Sequence, residues 1–296
     1  MPSGMAGPQR SPASGFPGCA AALACALPPL IGFATPLALL IHFAVKRMDQ
    51  LGEPALARAA INSLAVSLAT AAITVVIGLV LVTLAQRRRS LGARYLTRLA
   101  TLGYAVPGSV LAIGTLYAIT AFDNGVDGFL RANFGVSSGL LFSGSAAIIV
   151  YAASVRFLAV AHAAIESGYS RLSGHVVLAA RTLGRTANQT LFAVELPLMR
   201  RALATAGLLV FVDTMKELSA TVLLRPFNFS TLATHVYEFA SRARFEDASV
   251  AALAIVVIGT VPVVLLSRMQ DGRMQDGRRQ DEEMAGEKKE RVLDPL

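Results

Sequence analysis

The chain has 296 residues, of which 54% are hydrophobic and 16% are charged, and its mean hydropathy is +0.56. A soluble globular domain carries about a quarter charged residues, so this composition argues against a water-soluble protein. The net charge of +8 does not indicate nucleic-acid binding, because the basic residues lie between and after long apolar blocks. The only cysteines, Cys19 and Cys25, imply neither a disulfide framework nor a zinc site.

Six apolar blocks are long enough to cross the hydrocarbon core of a bilayer, which takes about 20 residues of helix. The blocks do not alternate apolar and polar residues, so helices are expected rather than a barrel. Their richness in Ala, Gly, Ser and Thr favours close helix packing. We therefore predict an all-α, polytopic membrane helix bundle. The predicted spans are Leu27–Val45, Ala60–Ala85, Leu99–Ala121, Leu140–Ile165, Leu203–Leu224 and Ala248–Leu266.

The basic residues predict the orientation of these spans. Arginine is concentrated between spans two and three, between spans four and five, and in the tail, whereas the opposite loops are poorer in basic residues. The positive-inside rule then predicts a multi-pass protein of the cell inner (plasma) membrane with both termini in the cytoplasm. Residues 1–26 and the charged tail 269–296 are predicted to be disordered, with the membrane domain between them at 27–268. The first span is expected to be an uncleaved helix.

One inner loop, between spans four and five, has an unusual pattern: LAARTLGRTANQTLFAVELP, from Leu178 to Pro197. It is consistent with a short helix, a bend at Gly184, a second helical piece, and then Leu196 and Pro197 at the start of span five. Glycine permits the backbone angles of a sharp turn, and proline is tolerated in the first turn of a helix. The sequence predicts a compact hairpin that another protein can grip.

This stretch resembles the EAA loop of the permeases of binding-protein-dependent (type I) ABC importers. Ala179, Ala180, Gly184, Leu196 and Pro197 stand where that motif has its E-A-A alanines, its glycine and its I-x-L-P ending, with Val194 in the Ile position and Leu178 in place of the leading Glu. The resemblance implies a coupling loop at about 168–197 that docks on an ATPase subunit. Without the Glu, coupling is expected either to be weaker or to rely on Arg181 and Arg185.

Further segments resemble the C-terminal half of ferric-iron permeases, and the resemblance runs from about Pro28 to Arg268. They are Gly103–Gly114, Arg156–Tyr169 and Val212–Ser241. The resemblance implies a transport subunit rather than an enzyme, with ATPase subunits, a second permease half and an extracytoplasmic solute-binding protein as partners. Members of that branch usually fuse two halves in one chain, so this sequence is expected to pair with a separate chain, to pair with a second copy of itself, or to be a truncated half. ATP would be bound by the ATPase, since this chain has no GxxxxGK[ST] motif and needs no cofactor of its own.

Three other interpretations stay open at this point. The same architecture serves permeases for thiamine or another small solute. An ion-gradient-driven secondary transporter would need inverted repeats and helices broken at the midplane, for which Pro107-Gly108 is the one candidate. The chain could also be a silent half that stabilises a partner permease.

Charged residues inside the predicted spans are the candidates for a pore or gate. Asp213, Lys216 and Glu217 fall in span five at spacings that would place them on one helical face, and Arg156 lies deep in span four. Such charges cost at least about 2.5 kcal/mol at the bilayer centre unless they are paired or hydrated. They either line the translocation path or form a structural ion pair, Asp213–Lys216, and one of the carboxylates is expected to pair with Arg156. No metal site is predicted, because the histidines are scattered: His42, His162, His175 and His235.

Overall fold

A computed structural model describes residues 16–87 and 91–264, and within those ranges the chain is helical and has no strand. The prediction of an all-α bundle is confirmed. Five of the helical segments are long and apolar enough to cross a membrane. The helices are α1 (Phe16–Pro29), α2 (Thr35–Lys46), α3 (Pro54–Arg87), α4 (Leu91–Thr101), α5 (Gly108–Phe134), α6 (Ala147–Ser170), α7 (Gly174–Thr182), α8 (Ala187–Thr190), α9 (Leu196–Met215), α10 (Thr221–Leu224), α11 (Leu232–Ala240) and α12 (Phe245–Val264).

The first membrane helix is longer than the sequence predicted. α1 and α2 are joined by a π turn, Leu30–Ala34, in which the Thr35 N–H donates to the Leu30 carbonyl. A π turn fits here because Pro36 supplies no N–H and would clash with a regular α-helical ladder. The candidate span is therefore Gly18–Lys46, and the prediction of disorder up to residue 26 is wrong from Phe16 onward. Residues 1–15 and the predicted tail 269–296 lie outside the described residues.

The third predicted span is interrupted by a proline. α4 ends at Thr101, a 3-10 turn covers Leu102–Ala105, and Pro107 has extended backbone angles (φ −54°, ψ 136°) before α5 begins at Gly108. α4, the 3-10 turn and α5 all contact α6, so the interrupted chain runs along one neighbour. The candidate break at Pro107-Gly108 is thus a real one. The fourth span, α6, begins and ends later than the predicted Leu140–Ile165.

The fifth predicted span differs in a way that affects the candidate site. α8, a π turn at Leu191–Glu195 and α9 form one continuous helix from Ala187 to Met215. Proline again explains the π turn: Pro197 has no N–H, and the Leu196 N–H donates to the Leu191 carbonyl. The helix ends at Met215 rather than at the predicted Leu224, so Lys216 caps it and Glu217 lies beyond it.

The core of the bundle lies among α3, α6 and α9, which contact one another along their lengths. Small residues permit this close approach, as the composition led us to expect. A Cβ on Gly168 would lie 2.2 Å from the Cβ of Ala202, and one on Gly78 would lie 3.1 Å from Ile165 Cδ1. Alanines elsewhere in the core also let neighbouring helices approach closely, among them Ala59, Ala71, Ala153, Ala161 and Ala206.

The connections between successive helices alternate between the two ends of the bundle. At one end, which we call the outer end, the 3-10 turn Met48–Gly52 meets the start of α12. There Arg47 and Arg244 both pair with the buried Asp247, and Gln50 Nε2 donates to Asp247 Oδ1 at 3.0 Å. The opposite end, which we call the hairpin end, carries α7 and α8.

Candidate functional site

The predicted hairpin is present at the hairpin end of the bundle. α7 ends in a Schellman motif: the Gly184 N–H donates to the Arg181 carbonyl at 3.0 Å and the Arg185 N–H to the Ala180 carbonyl at 3.2 Å. Gly184 has φ +84°, a left-handed conformation that favours glycine, so the predicted bend is confirmed.

The second limb of the hairpin starts with a capping box. The Gln189 N–H donates to Thr186 Oγ1 at 3.4 Å, and the Thr186 N–H donates to Gln189 Oε1 at 2.9 Å. Two of the exposed amides at the start of α8 are thereby satisfied. The hairpin is thus closed at its bend by local hydrogen bonds alone.

Most of the predicted coupling residues lie on the surface of the hairpin. Leu178, at the place of the motif Glu, has 61% of its surface exposed, and Leu183 at the tip has 84% exposed. Only Ala180 is buried, where α7 packs against the bundle. The remaining predicted residues are exposed or half-buried: Ala179, Arg181, Gly184, Arg185, Leu196 and Pro197. An apolar and basic surface is therefore presented at the hairpin end.

The base of the hairpin is fastened to α3. Arg87, the last residue of α3, donates from Nη2 to the Ala187 carbonyl at 2.7 Å and from Nη1 to Asn188 Oδ1 at 3.3 Å. Glu195 also lies near the base of the hairpin, at the end of the π turn, and has only 2% of its surface exposed. Sequence reasoning missed Glu195 as a site residue. Its spacing of four from Met199, which is also buried, was the available signal that it faces inward.

A second group of charged residues lies where two helices are interrupted. Arg156 lies near the middle of α6, and its Nε is 3.7 Å from Oε2 of Glu217, just past the end of α9. Glu217 Oε1 also accepts a hydrogen bond from the Ala220 N–H at 3.1 Å. The side chains of Arg156 and Glu217 are 22% and 10% exposed. The expectation that Arg156 has a carboxylate partner is confirmed.

The start of α5 completes this site. A Cβ on Gly108 would lie 1.9 Å from Arg156 Nη1 and 3.1 Å from Glu217 Oε1, so the ion pair occupies the space that a side chain at position 108 would need. Nε and Nη1 of Arg156 are buried and make no hydrogen bond with the described residues. Non-helical backbone at membrane depth is tolerated only where it is buried in protein or lines a water-filled cavity. The breaks before Gly108 and after Met215 meet at this ion pair.

Asp213 and Lys216 do not take part in the Arg156–Glu217 site and lie on another side of α9. They form an ion pair of 2.9 Å, as one of the two sequence interpretations expected, but 64% of the Lys216 side chain is exposed. Lys216 borders a cleft shared with Phe33 of the first membrane helix and Thr260 of α12. The prediction that all three charged residues share one helical face is wrong, because the helix ends before Glu217 and turns it toward α5 and α6.

The described residues form a bundle with five helices able to span a membrane, an exposed hairpin at one end and two interrupted helices that meet at an ion pair, features that fit a membrane permease. The family model of the binding-protein-dependent transport system inner membrane component matches residues 74–276. The chain belongs to this family of ABC importer permeases, and is a multi-pass protein of the inner membrane.

Two curated relatives are ferric permeases of Haemophilus influenzae. The Fe(3+)-transport system permease protein FbpB 2 is 31% identical over 207 residues, which are 70% of this chain and 38% of that protein. The putative ferric transport system permease protein FbpB 1 is 26% identical over 130 residues, which are 44% of this chain and 20% of that protein. The chain thus spans well under half the length of these relatives.

Among solved structures, two of a bacterial alginate ABC transporter share the fold. In the complex with an alginate pentasaccharide-bound periplasmic protein, a chain matches with a TM-score of 0.68 and 14% identity, over 85% of this chain and 92% of that one. A second structure, of an ABC transporter that imports the acidic polysaccharide alginate, gives a TM-score of 0.65 and 16% identity over 85% and 93% of the two chains.

Proposed function

We propose that this chain is one half of the channel of an ATP-driven importer and that its solute is ferric iron. The observation that carries the proposal is the continuous helix from Ala187 to Met215. At about 1.5 Å per residue this helix is about 43 Å long, and it joins the exposed hairpin directly to the interruption at Glu217.

The hairpin end is the cytoplasmic end in this proposal, so both chain termini are cytoplasmic. The arginines of the hairpin and of the segments beside it support this orientation. An ATPase subunit binds the surface of α7 and the Gly184 bend, and an extracytoplasmic binding protein delivers solute at the outer end. ATP is bound by the ATPase and not by this chain.

A second permease half completes the channel. In this proposal the other half of the path comes from a separate chain, from a second copy of this one, or from a further part of a longer chain; the matched residues cover 38% of FbpB 2. The Arg156–Glu217 site, with its two interrupted helices, is the part of this chain that we assign to the path or its gate. Asp213 and Lys216 belong to the same candidate set but lie on another side of α9.

Movement of the hairpin acts on the gate through a rigid element. When the ATPase closes and displaces α7 and α8, the helix from Ala187 to Met215 moves with them, because packed helices transmit strain with little compression. Glu217 follows the end of α9, so its distance from Arg156 on α6 changes. Opening and closing of the ion pair at the helix breaks then accompanies the ATPase cycle.

The ferric assignment is supported by the two Haemophilus influenzae relatives, one of them at 31% identity. The alginate importers share the fold at only 14% and 16% identity and do not bear on the solute. Thiamine or another small solute is the alternative, because the same architecture serves several solutes.

The test is uptake by vesicles that contain the chain and its co-purifying partners. We expect ATP-dependent uptake of radiolabelled ferric iron in the presence of the binding protein, and no uptake of thiamine. Gly184→Val should abolish uptake, because a β-branched residue is strained at φ +84°. Gly92→Ala, at the same end of the bundle with nothing within 4 Å of the added Cβ, is the matched control. If no ATPase co-purifies, or if Gly184→Val transports normally, the proposal fails.

A further inference from the structure

Glu195 is a buried acid, one of whose oxygens has no hydrogen-bond partner among the described residues. Its side chain has 2% of its surface exposed, and Oε2 makes no hydrogen bond with any described residue. The other buried acids are all satisfied: Asp123 accepts hydrogen bonds from the Phe142 and Ser143 amides, and Asp247 pairs with arginine. Burying an unpaired polar or charged group is costly, so an orphaned carboxylate at a functional element calls for an explanation.

The position of Glu195 in the sequence is equally unusual. Between Glu166 and Asp213 it is the only acidic residue, whereas that stretch contains several arginines. Between Leu178 and Val194 the sequence has no acid to pair with Arg181 or Arg185. In that stretch, Glu195 is the one acidic residue available to a hairpin arginine.

Arg181 is the arginine placed to reach it. α7 contacts the π turn that ends at Glu195, and Ala180, the neighbour of Arg181, is buried against the bundle. The Tyr169 hydroxyl is within electrostatic range of Glu195, Arg87 and Arg181, so each of these three charged groups lies in the neighbourhood of Tyr169.

The other arginine of this group is already occupied. Arg87 is held by the Ala187 carbonyl and by Asn188. Arg181 is exposed and makes no side-chain hydrogen bond or ion pair within residues 16–87 and 91–264. The helix that carries the unpaired Arg181 thus contacts the turn that carries the unsatisfied Glu195 oxygen.

We propose that Glu195 is a positioning residue that receives the Arg181 guanidinium when the ATPase docks, latching α7 to the helix that runs to Glu217. This inference rests on the proposed function. It assigns the role of the missing motif Glu to an acid inside the bundle, since Leu178 cannot make a polar contact. An Arg–carboxylate pair is charge-assisted and commonly bidentate, which gives it the directional strength that a mechanical latch needs.

The proximity arm of the test uses cysteine pairs. Cys19 and Cys25 are free and exposed, so Cys19→Ser and Cys25→Ser provide a cysteine-free background. Arg181→Cys with Glu195→Cys should cross-link with a short bifunctional reagent, and faster when the co-purified ATPase is trapped with nucleotide. Leu183→Cys with Glu195→Cys is the control pair, because the Leu183 side chain points away into solvent. Equal rates with and without trapped nucleotide would overturn the latch.

The functional arm uses neutral variants in the full assembly. We expect Glu195→Gln to lower uptake about tenfold at unchanged ATPase binding, Arg181→Gln to lower uptake at least as much, and the double variant to be no worse than Arg181→Gln, because paired residues are not additive. Glu195→Asp should partly restore uptake, and Arg98→Gln, an exposed arginine at the same end, should leave it unchanged. Thermal unfolding in detergent separates this role from a structural one.

The outcomes are distinguishable from failure of the proposed function. If the ATPase binds and drives uptake, yet Glu195→Gln transports like the parent or loses uptake only in step with its melting temperature, the latch is wrong and the proposed function stands. If no ATPase binds the parent chain at all, the proposed function fails first.

Discussion

Arg156 Nε lies 3.7 Å from Glu217 Oε2, at the point where two interrupted helices meet. Arg156 lies on α6 and Glu217 lies just past the end of α9, so neither residue is on α5 or α10, the helices that follow the breaks. The pair is mostly buried, with Gly108 packed against both side chains. A buried pair contributes little net stability, but removing one partner leaves an uncompensated charge. The ion pair therefore holds the breaks in register without locking them permanently, which suits a gate.

Replacing one member of the Arg156–Glu217 pair should lower the free energy of unfolding more than replacing both members. We expect Glu217→Gln or Arg156→Met alone to lower the free energy of unfolding by roughly 2 kcal/mol, below the 3–5 kcal/mol of a fully buried pair because Arg156 keeps some exposure. The double variant should recover about half of this loss. Chemical unfolding in detergent measures all three. Additive losses would show that the two residues do not interact.

The Asp213–Lys216 pair should contribute little. Lys216 is mostly exposed, and exposed ion pairs contribute about 0–1 kcal/mol. We expect Asp213→Asn with Lys216→Met to change stability by less than about 1 kcal/mol and to leave uptake within roughly a factor of two, since about 0.4 kcal/mol separates such rates. Parallel uptake assays with Glu217→Gln provide the comparison. A severe transport defect in the double variant would move the path to the other side of α9.

Gly108 offers a way to displace Arg156 without altering a charge. The Cβ of Gly108→Ala would overlap Arg156 Nη1 and force the guanidinium away from Glu217. We expect Gly108→Ala to show the same transport defect as Glu217→Gln. It should also lower the free energy of unfolding by about 1–3 kcal/mol, as at other overpacked sites. Gly114→Ala is the matched control on the same helix, because nothing lies within 4 Å of its Cβ. Equal behaviour of the two variants would contradict the site geometry.

The α6–α9 contact depends on one small residue from each helix. A Cβ on Gly168 would lie 2.2 Å from Ala202 Cβ, so Gly168→Ala should push the helices apart and lower stability by about 1–3 kcal/mol. Adding Ala202→Gly restores the space, and the double variant should regain most of the loss in a detergent melting experiment. Failure of Ala202→Gly to rescue would mean that the helices are not in contact there.

His235 predicts a pH dependence of stability. It lies in α11 at the outer end, and burial lowers its pKa from the ordinary value of 6.5, an effect that nearby Glu238 and Glu53 only partly oppose. The unfolded state therefore takes up a proton at higher pH than the folded state. Stability should be full above about pH 6.5 and fall as pH decreases below it. His235→Phe should flatten this fall in melting curves between pH 7.5 and 5, whereas an unchanged slope would exclude His235 as its source.

The sequence predicts those features of the fold that short stretches of chain determine, and not those that depend on contacts between distant residues. Apolar length predicted the five helices that are able to span a membrane, although α9, from the fifth predicted span, is not among them. Gly184 predicted the bend, because apolar length and a glycine turn are both properties of short stretches of chain. The end of α9 at Met215 was not predictable from hydropathy, since Leu218 to Leu224 are as apolar as a helix would be. The interruption depends instead on Glu217 turning toward Arg156, a contact between residues far apart in sequence.

The same distinction applies to the hairpin. Its motif residues could be recognised from spacing alone, but Glu195 was overlooked because a single acid before Leu-Pro has no local meaning. Its importance comes from burial beneath α7, which only the packing of α7 against the π turn creates. Pro107 predicted a break that the structure contains, whereas the π turns that accommodate Pro36 and Pro197 were not predicted and keep both helices continuous.

The central claim is that the hairpin binds an ATPase, and cross-linking in native vesicles tests it most directly. A photoreactive residue at Leu178 or Leu183, both exposed on the hairpin, should capture an ATP-hydrolysing subunit. The same residue at Leu51, equally exposed at the outer end, should not. Capture from the hairpin alone is the predicted result; no ATPase adduct at Leu178 or Leu183, or equal capture from Leu51, would contradict the account.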